Sequence, residues 1–486
     1  MRKSFVFNIF FMVFVNLLVK PFWVFGIDRT VQKNLGESEY GLYFAIFNFT
    51  YLFQILLDFG LQNYNNRQVA ADRNKINELL PSILLFKTLL FIVYLVLCVS
   101  VAYPLGYLNK PFIWIILCSQ ILLSFNIYLR SNVSAHQHFI TDALLSVIDK
   151  LLMIGFCVVL ILGKIPGFPL TIFNFALAQL AAYFITLIVC LFFSFRLTQQ
   201  LIFRFSLKDF IQIAKETMPY AIIHFLMTTY YRIDAVMLEK LQGVNGATES
   251  GIYAQGYRIM ESLNNIGYLF ASILLPLFAY NLAQEKEIKT LLKSSVSIMF
   301  CLASSIVICL FYYKREIIEL LYSTTNITYS SEVFGYLLLN FFPVAILYVI
   351  GTLLTANQNF KLMIYTLVIA VIINVSLNFY LITNFGAKGA GQATLITQLF
   401  MLVCYTFYSM HVFKLPFNLV YIIRLLAFLL FSLLLIYIIK KHNYSSNQII
   451  DLGLHFALYF FCIPVFSYIT GLINLNTLKL KIDSDK

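Results

Sequence analysis

Apolar residues run through almost the whole chain in blocks of about twenty, the length that crosses a bilayer core as a helix. Fourteen blocks can be placed. The first six lie at 5–27, 40–62, 82–103, 111–130, 141–163 and 168–195. The next six lie at 216–238, 251–280, 291–313, 332–356, 361–383 and 388–411, and two more at 418–439 and 447–473. Only short polar stretches separate them, which leaves no room for a soluble domain. The pattern predicts an all-α polytopic membrane protein with about 14 transmembrane helices.

The polar turns carry a repeat. Ile27-Asp28 is answered by Ile233-Asp234, and the run from Glu39 to Tyr43 by the run from Glu249 to Tyr253. The offset is 206 residues at the aspartates and 210 at the second run, a difference that a turn absorbs easily. Six spans lie between the matched units, so the expected halves are two parallel, pseudo-symmetric six-helix lobes. The expected organisation is residues 1–200 as an N-lobe of spans 1–6, and 201–415 as a C-lobe of spans 7–12. Spans 13–14 (416–473) and a cytoplasmic tail (474–486) follow.

Composition agrees: 60% of the 486 residues are hydrophobic and 12% charged, against roughly a quarter charged in soluble domains. The net charge of +12 would suggest nucleic acid for a soluble chain. In a membrane chain it reflects positive-inside loops and anionic headgroups. With both termini in the cytoplasm, 18 of the 34 Lys and Arg residues fall on that side and 10 on the other. Arg2-Lys3 and the apolar run after them resemble a signal peptide. No small-x-small cleavage site follows, so an uncleaved first span is expected. The eight cysteines lie in apolar blocks without a Cys-x-x-Cys pair, which points to neither a disulfide framework nor a metal site.

Six basic residues fall inside the blocks: Lys20, Lys87, Lys150, Arg232, Arg258 and Arg424. Lys87 and Arg424 are near the cytoplasmic face and are expected to snorkel toward it. The other four need a partner or a water-filled cavity, because a charge in hydrocarbon costs several kcal/mol. Lys150 follows Asp149, but neighbouring helical residues point about 100° apart and are expected to pair poorly. In span 8, Tyr257, Glu261, Asn264 and Tyr268 recur at helical spacing, with Arg258 and Asn265 on adjoining rows. Asn16 and Lys20 do the same in span 1. Polar glue between helices accounts for single Asn or Thr residues; a row holding both Arg258 and Glu261 reads better as a cavity wall. No nucleotide-binding loop and no catalytic constellation is present, so neither a cofactor nor a metal is expected.

Several short motifs then resemble one family. They are Asp58-Phe-Gly-Leu closing span 2, Arg67-Gln-Val-Ala after it, and Leu35-Gly36 with Tyr40-Gly41-Leu42-Tyr43 before it. Asp234-x-x-Met-Leu, Gly251-Ile-Tyr253 and Tyr257-Arg258 form a second set, and Gly386-Ala-Lys-Gly-Ala-Gly391 opens span 12. In this order they resemble the lipid-linked oligosaccharide flippases of the multidrug/oligosaccharidyl-lipid/polysaccharide exporter superfamily. The resemblance implies a two-lobed bundle whose central cavity alternates between membrane faces. Its substrate would be an isoprenoid diphosphate carrying a short glycan, delivered to the periplasmic leaflet of the bacterial inner membrane for O-antigen or capsule synthesis. Basic residues of spans 1, 7 and 8 line such cavities, which makes Lys20, Arg232 and Arg258, with Lys150, the candidates for the diphosphate. Tyr257, Asn264, Asn265, Tyr268 and Asn16 are the candidates for sugar hydroxyls, and Glu261, Asp234 and Asp58 for ion coupling. The implied partners are membrane lipids, H+ or Na+, and glycan polymerase and chain-length proteins. Two other readings stay open: a cation-coupled multidrug exporter of the same superfamily, and a membrane polysaccharide polymerase.

Overall fold

The computed structural model describes residues 15–473 apart from 17, 164–167, 203–206, 286–287, 323, 417 and 443. The start of the expected first span and the expected tail at 474–486 lie outside the described residues. Among the described residues all regular structure is helical. Ten helices among the described residues are long and apolar enough to cross a membrane by length and composition. One of them, α13 (Phe360–Val412), contains both expected spans 11 and 12, which meet at the non-helical Gly386. The all-helical, multi-pass architecture is therefore as expected.

In chain order, a π-helical stretch at Phe22–Asp28 leads into α1 (Arg29–Leu52), and Gly36 (φ 81°) marks the turn between spans 1 and 2. The second span is not one continuous rod. It stops at Leu52, resumes as the short α2 (Ile55–Asp58), and breaks again at Phe59 and Gly60 before α3 (Leu61–Ala71). Both break residues take left-handed backbone. For a phenylalanine that conformation costs roughly 1–2 kcal/mol, so surrounding contacts must hold it. Next come α4 (Ile76–Ala102), α5 (Phe112–Ala135), α6 (Phe139–Leu162), α7 (Ile172–Arg196), α8 (Leu207–Leu241) and α9 (Gly246–Ala283). The remaining helices are α10 (Ile288–Tyr312), the short α11 (Lys314–Leu321), α12 (Ile327–Ala356), α13, α14 (Leu419–Lys440) and α15 (Gln448–Ile469). Helices α1 and α8 are not among the ten apolar spans; they are the two that carry Asn48, Tyr51, Arg232 and Asp234.

The chain divides into two compact units. The first comprises Met1–Gln255, Leu321–Ser323 and Val375–Ala390. Its core is apolar, with Leu61, Val69, Leu80, Ile83, Tyr128 and Leu129 drawn from α3, α4 and α5. Inside this unit α5 packs along α7, and α1 along α8. The second unit comprises Gly256–Leu320, Thr324–Asn374 and Gly391–Lys486. Its core joins Leu274 and Phe278 of α9 to Met299 and Ala303 of α10 and Phe341, Ala345 and Val349 of α12. Helix α14 packs on α10 and α15, and keeps Val420, Ile423, Leu426 and Leu430 exposed. That is an apolar face of the kind lipid covers.

Candidate functional site

The repeat seen in the sequence has a physical counterpart in the first unit. Asp28 and Asp234 are both almost fully buried, and each carboxylate accepts a tyrosine phenol. Tyr40 donates to Asp28 at 2.9 Å, and Tyr253 donates to Asp234 at 2.8 Å. Asn378 adds a second donor to Asp234 at 2.7 Å. The register differs from the sequence match. Tyr43, the residue aligned with Tyr253, donates instead to Gln179 at 2.7 Å. The glycines of the repeat face each other. A Cβ on Gly41 would enter the backbone of Ala247 and Gly251, and one on Gly251 would enter the backbone of Glu37. Ala247 and Glu37 each stand four residues before the opposite glycine, so the contact is reciprocal. Only residues without a side chain let two helix ends approach this closely. Gln32 reinforces the contact by donating to the Gly251 carbonyl at 3.2 Å.

Near this contact α8 ends in a polar cluster. Tyr107 donates to Glu239 at 2.9 Å, and Lys240 pairs with Glu239 at 2.9 Å. Burial, and then the Glu239 carboxylate, push the Tyr107 phenol well above its ordinary value, so it stays a donor. Glu249 accepts from the backbone N–H of Ala387 at 2.6 Å, directly after the break at Gly386. That carboxylate caps the restarted helix, where the helix dipole favours negative charge.

Two of the predicted basic residues are held by aromatic and amide groups within the first unit. The Arg232 guanidinium lies 4.5 Å from the ring centre of Tyr51 and donates to Asn48 Oδ1 at 3.1 Å. Asn48 is oriented for this, because its amide N–H2 is spent on the Phe44 carbonyl at 2.7 Å. Lys150 sits 5.8 Å from the ring of Trp23 and 5.5 Å from that of Tyr183. It also pairs with Asp149 at 3.2 Å, against the expectation from helical geometry. The flexible four-carbon stem of lysine lets the ammonium swing back to its neighbour. Asn16 donates to Ser146 at 3.1 Å, one turn before Lys150 on α6. Lys20 lies one turn beyond Asn16. The structure thus gathers Asn16, Trp23 and Lys150 around α6.

The candidates from Tyr257 to Tyr268 lie in the second unit along α9. Arg258 and Glu261 form an ion pair at 3.0 Å. Tyr257 is buried, Glu261 and Asn264 are partly exposed, and Tyr268 is 62% exposed, so the stripe runs from core to surface. Asn265 donates to the Glu261 carbonyl at 3.1 Å. The side-chain oxygen of Asn264 is buried without a hydrogen-bond partner.

The residue that sequence reasoning misplaced is Lys87. It does not snorkel: its side chain is 1% exposed. Its ammonium donates to the Leu57 carbonyl and to Ser124 Oγ, both at 2.7 Å, and stands 3.7 Å from Asp58 Oδ1. The rings of Phe125 and Tyr128 lie 5.7 and 5.8 Å away. Lys87 is therefore a buried cation at the C-terminal end of a broken helix, where the Leu57 carbonyl accepts side-chain donors and the helix end favours positive charge. The available signal was Phe59-Gly60 directly after Asp58, which marks a break that a nearby cation can stabilise.

With this geometry in place, residues 5–282 match the family described as Polysaccharide biosynthesis protein. The chain belongs to that family. No curated protein sequence matches the chain. Among solved structures, this polysaccharide biosynthesis family member is similar to a lipid II flippase, MurJ, in an inward closed conformation. That likeness has a TM-score of 0.74 at 14% identity and covers 94% of this chain and 98% of the flippase. It is also similar to an inward-facing multidrug resistance MATE family transporter of the MOP superfamily, with a TM-score of 0.61 at 16% identity, covering 83% and 94%. A MOP superfamily transporter from Pyrococcus furiosus aligns with a TM-score of 0.55 at 14% identity over 84% of this chain and 94% of its own. At these identities the likeness shows a shared fold.

Proposed function

We propose that this protein moves an isoprenoid-diphosphate-linked oligosaccharide from the cytoplasmic to the periplasmic leaflet of the bacterial inner membrane, for assembly of a surface polysaccharide such as O-antigen or capsule. The observation that carries this reading is the set of basic side chains held by aromatic, amide and acidic groups within the helices of a polysaccharide biosynthesis family member. Arg232 is held by Tyr51 and Asn48, Lys150 by Trp23, Tyr183 and Asp149, and Arg258 by Glu261. A diphosphate is bound best by Arg and Lys in a low-dielectric setting, with Arg offering a planar fork to two oxygens. Lys20 completes the set. Tyr257, Asn264, Asn265, Tyr268 and Asn16 supply groups suited to sugar hydroxyls. Both termini face the cytoplasm, and lobes 1–200 and 201–415 rock to expose the cavity alternately. Spans 13 and 14 stand outside that motion.

Transport draws on an ion gradient through Glu261. The carboxylate pairs with Arg258 at 3.0 Å. An arriving diphosphate takes over the guanidinium and adds negative charge, which favours proton uptake by Glu261. Asp234 and Asp58 are the alternative coupling carboxylates. A drug exporter taking cationic substrates would need acid to spare. The carboxylates of Asp28, Asp58, Asp149, Asp234 and Glu261 each have a partner instead. The test is surface glycan in cells carrying Arg258→Ala or Arg258→Lys at wild-type protein level. Loss with Ala and partial recovery with Lys support the reading; normal glycan with Arg258→Ala removes Arg258 from the site.

A further inference from the structure

The two rings beside Lys150 are themselves connected to α1, and every residue of the connection lies in the first unit. Tyr43 on α1 donates to Gln179 Oε1 at 2.7 Å, and Gln179 Nε2 donates to the Tyr183 hydroxyl at 3.3 Å. The Tyr183 ring stands 5.5 Å from the Lys150 ammonium. A second route uses rings alone. Phe175 meets Tyr43 edge-on at 5.2 Å and stacks on Trp23 at 6.4 Å, with 9° between the planes. Trp23 is the other ring beside Lys150, at 5.8 Å. Both routes start at Tyr43 and end at the same ammonium.

One end of this connection is fixed and the other is not. Tyr43, Phe175, Gln179 and Tyr183 are all buried. Helix α7 packs along α5, and Asn126 of α5 donates to the Tyr183 carbonyl at 3.0 Å, so Gln179 and Tyr183 share a firm frame. Tyr43 comes from α1, two residues after Gly41, whose neighbours across the glycine contact are the backbones of Ala247 and Gly251. Two residues turn a helix by about 200°. Helix α1 therefore meets α9 on one side and α7 on the other, and a displacement of α1 at the glycines moves Tyr43 against Gln179.

Lys150 depends on such support because its ion pair does not fix its place. Asp149, at 3.2 Å, is its chain neighbour, and a flexible four-carbon stem has many rotamers that keep that pair. The rings choose among them, since an ammonium is drawn to a ring face within about 6 Å of its centre. Whatever holds Tyr183 and Trp23 also sets where the charge sits.

We propose that Gln179 is a positioning residue for Lys150, carrying the position of α1 at Tyr43 through Tyr183 to the ammonium. Its consequence for transport rests on the proposed role of Lys150 at the diphosphate; the placement of the ammonium does not.

The chain supplies its own probe. Its two tryptophans are Trp23 and Trp114, and Trp114 is 48% exposed on α5, so Trp114→Phe leaves Trp23 as the sole indole. Emission is recorded on the full-length Trp114→Phe protein in detergent. Lys150→Met is expected to shift the Trp23 maximum, because a charge beside the indole is lost. Gln179→Leu, and Tyr43→Phe, which keeps the ring and drops only the hydroxyl, are expected to shift it in the same direction by releasing the ammonium toward Asp149. In the Lys150→Met background neither should add a further shift. Equal shifts in both backgrounds, as a purely structural role requires, overturn the proposal. So does an unshifted maximum in Gln179→Leu or in Lys150→Met. Farnesyl diphosphate is then titrated against the same proteins. Gln179→Leu is expected to raise its Kd about two- to tenfold, and not at all in the Lys150→Met background. A Kd unchanged by Gln179→Leu but raised by Lys150→Met overturns the proposal. The predicted emission shifts with no binding of farnesyl diphosphate support the positioning and count against the diphosphate substrate, which keeps the two failures apart.

Discussion

Replacing Lys87 by methionine keeps the length of the side chain and removes only the ammonium, which isolates the role of a buried charge. Three interactions go. They are the donations to the Leu57 carbonyl and Ser124 Oγ at 2.7 Å, and the attraction to Asp58 at 3.7 Å. Removing one partner of a buried charged pair costs about 3–5 kcal/mol. Two features reduce that figure. Asp58 is 26% exposed and is screened by solvent. Ser124 also donates to Leu57 at 3.1 Å, so the carbonyl is not orphaned. The expected loss is about 2–4 kcal/mol, or roughly 30- to 1000-fold in the folding equilibrium. Unfolding by denaturant in mixed micelles reads this directly. Asp58→Asn alone leaves the buried Lys87 ammonium with two neutral acceptors and should cost about 1–3 kcal/mol. The double variant should be less destabilised than the sum of the two, since the charge left behind in Lys87→Met is then gone. A Lys87→Met protein within about 0.5 kcal/mol of wild type would refute the assignment of Lys87 as the clamp on the broken second span.

Three further outcomes follow from named contacts. Gly251→Ala and Gly41→Ala each push a methyl into backbone across the α1–α9 contact and should cost about 1–3 kcal/mol or more, by the same unfolding assay. Gly453→Ala, where an added Cβ meets nothing within 4 Å, is the control expected to be neutral. Arg232→Lys keeps the charge but loses the planar group over Tyr51, so export of surface glycan should fall while Arg232→Ala abolishes it. Asp234→Asn turns an acceptor for Tyr253 and Asn378 into an amide with one acceptor, and should cost about 1–3 kcal/mol.

The spans were legible because a bilayer imposes one simple rule, about twenty apolar residues per helix, and α4 to α7 keep to it. The duplicated Asp-to-Gly units were legible too, since Asp28 and Asp234, like Gly41 and Gly251, stand at nearly the same offset. What they do was not. Gly41 and Gly251 lie far apart in sequence and meet only through packing, and Tyr40 rather than Tyr43 serves Asp28 because helix phase, not alignment, decides which phenol reaches the carboxylate. Lys87 was misread for a related reason. Its partners come from α2 and α5, and a single apolar block cannot show that a neighbouring helix is broken. Lys150 was misjudged on backbone direction alone, which ignores the reach of a long side chain. The α9 stripe was readable as a period, and the Arg258–Glu261 pair follows from spacing. Its gradient from buried Tyr257 to exposed Tyr268 depends on what packs against each turn.

The most direct test of the account is movement of the substrate itself. Purified protein is reconstituted into sealed vesicles that carry an isoprenoid-diphosphate oligosaccharide with a labelled sugar. The fraction reached by an impermeant glycosidase is then followed, with and without an imposed proton or sodium gradient. The account predicts protein-dependent exposure of the labelled glycan that accelerates with one gradient and is lost in Arg258→Ala. Exposure no faster than in protein-free vesicles, in either gradient and with the protein folded, would contradict it.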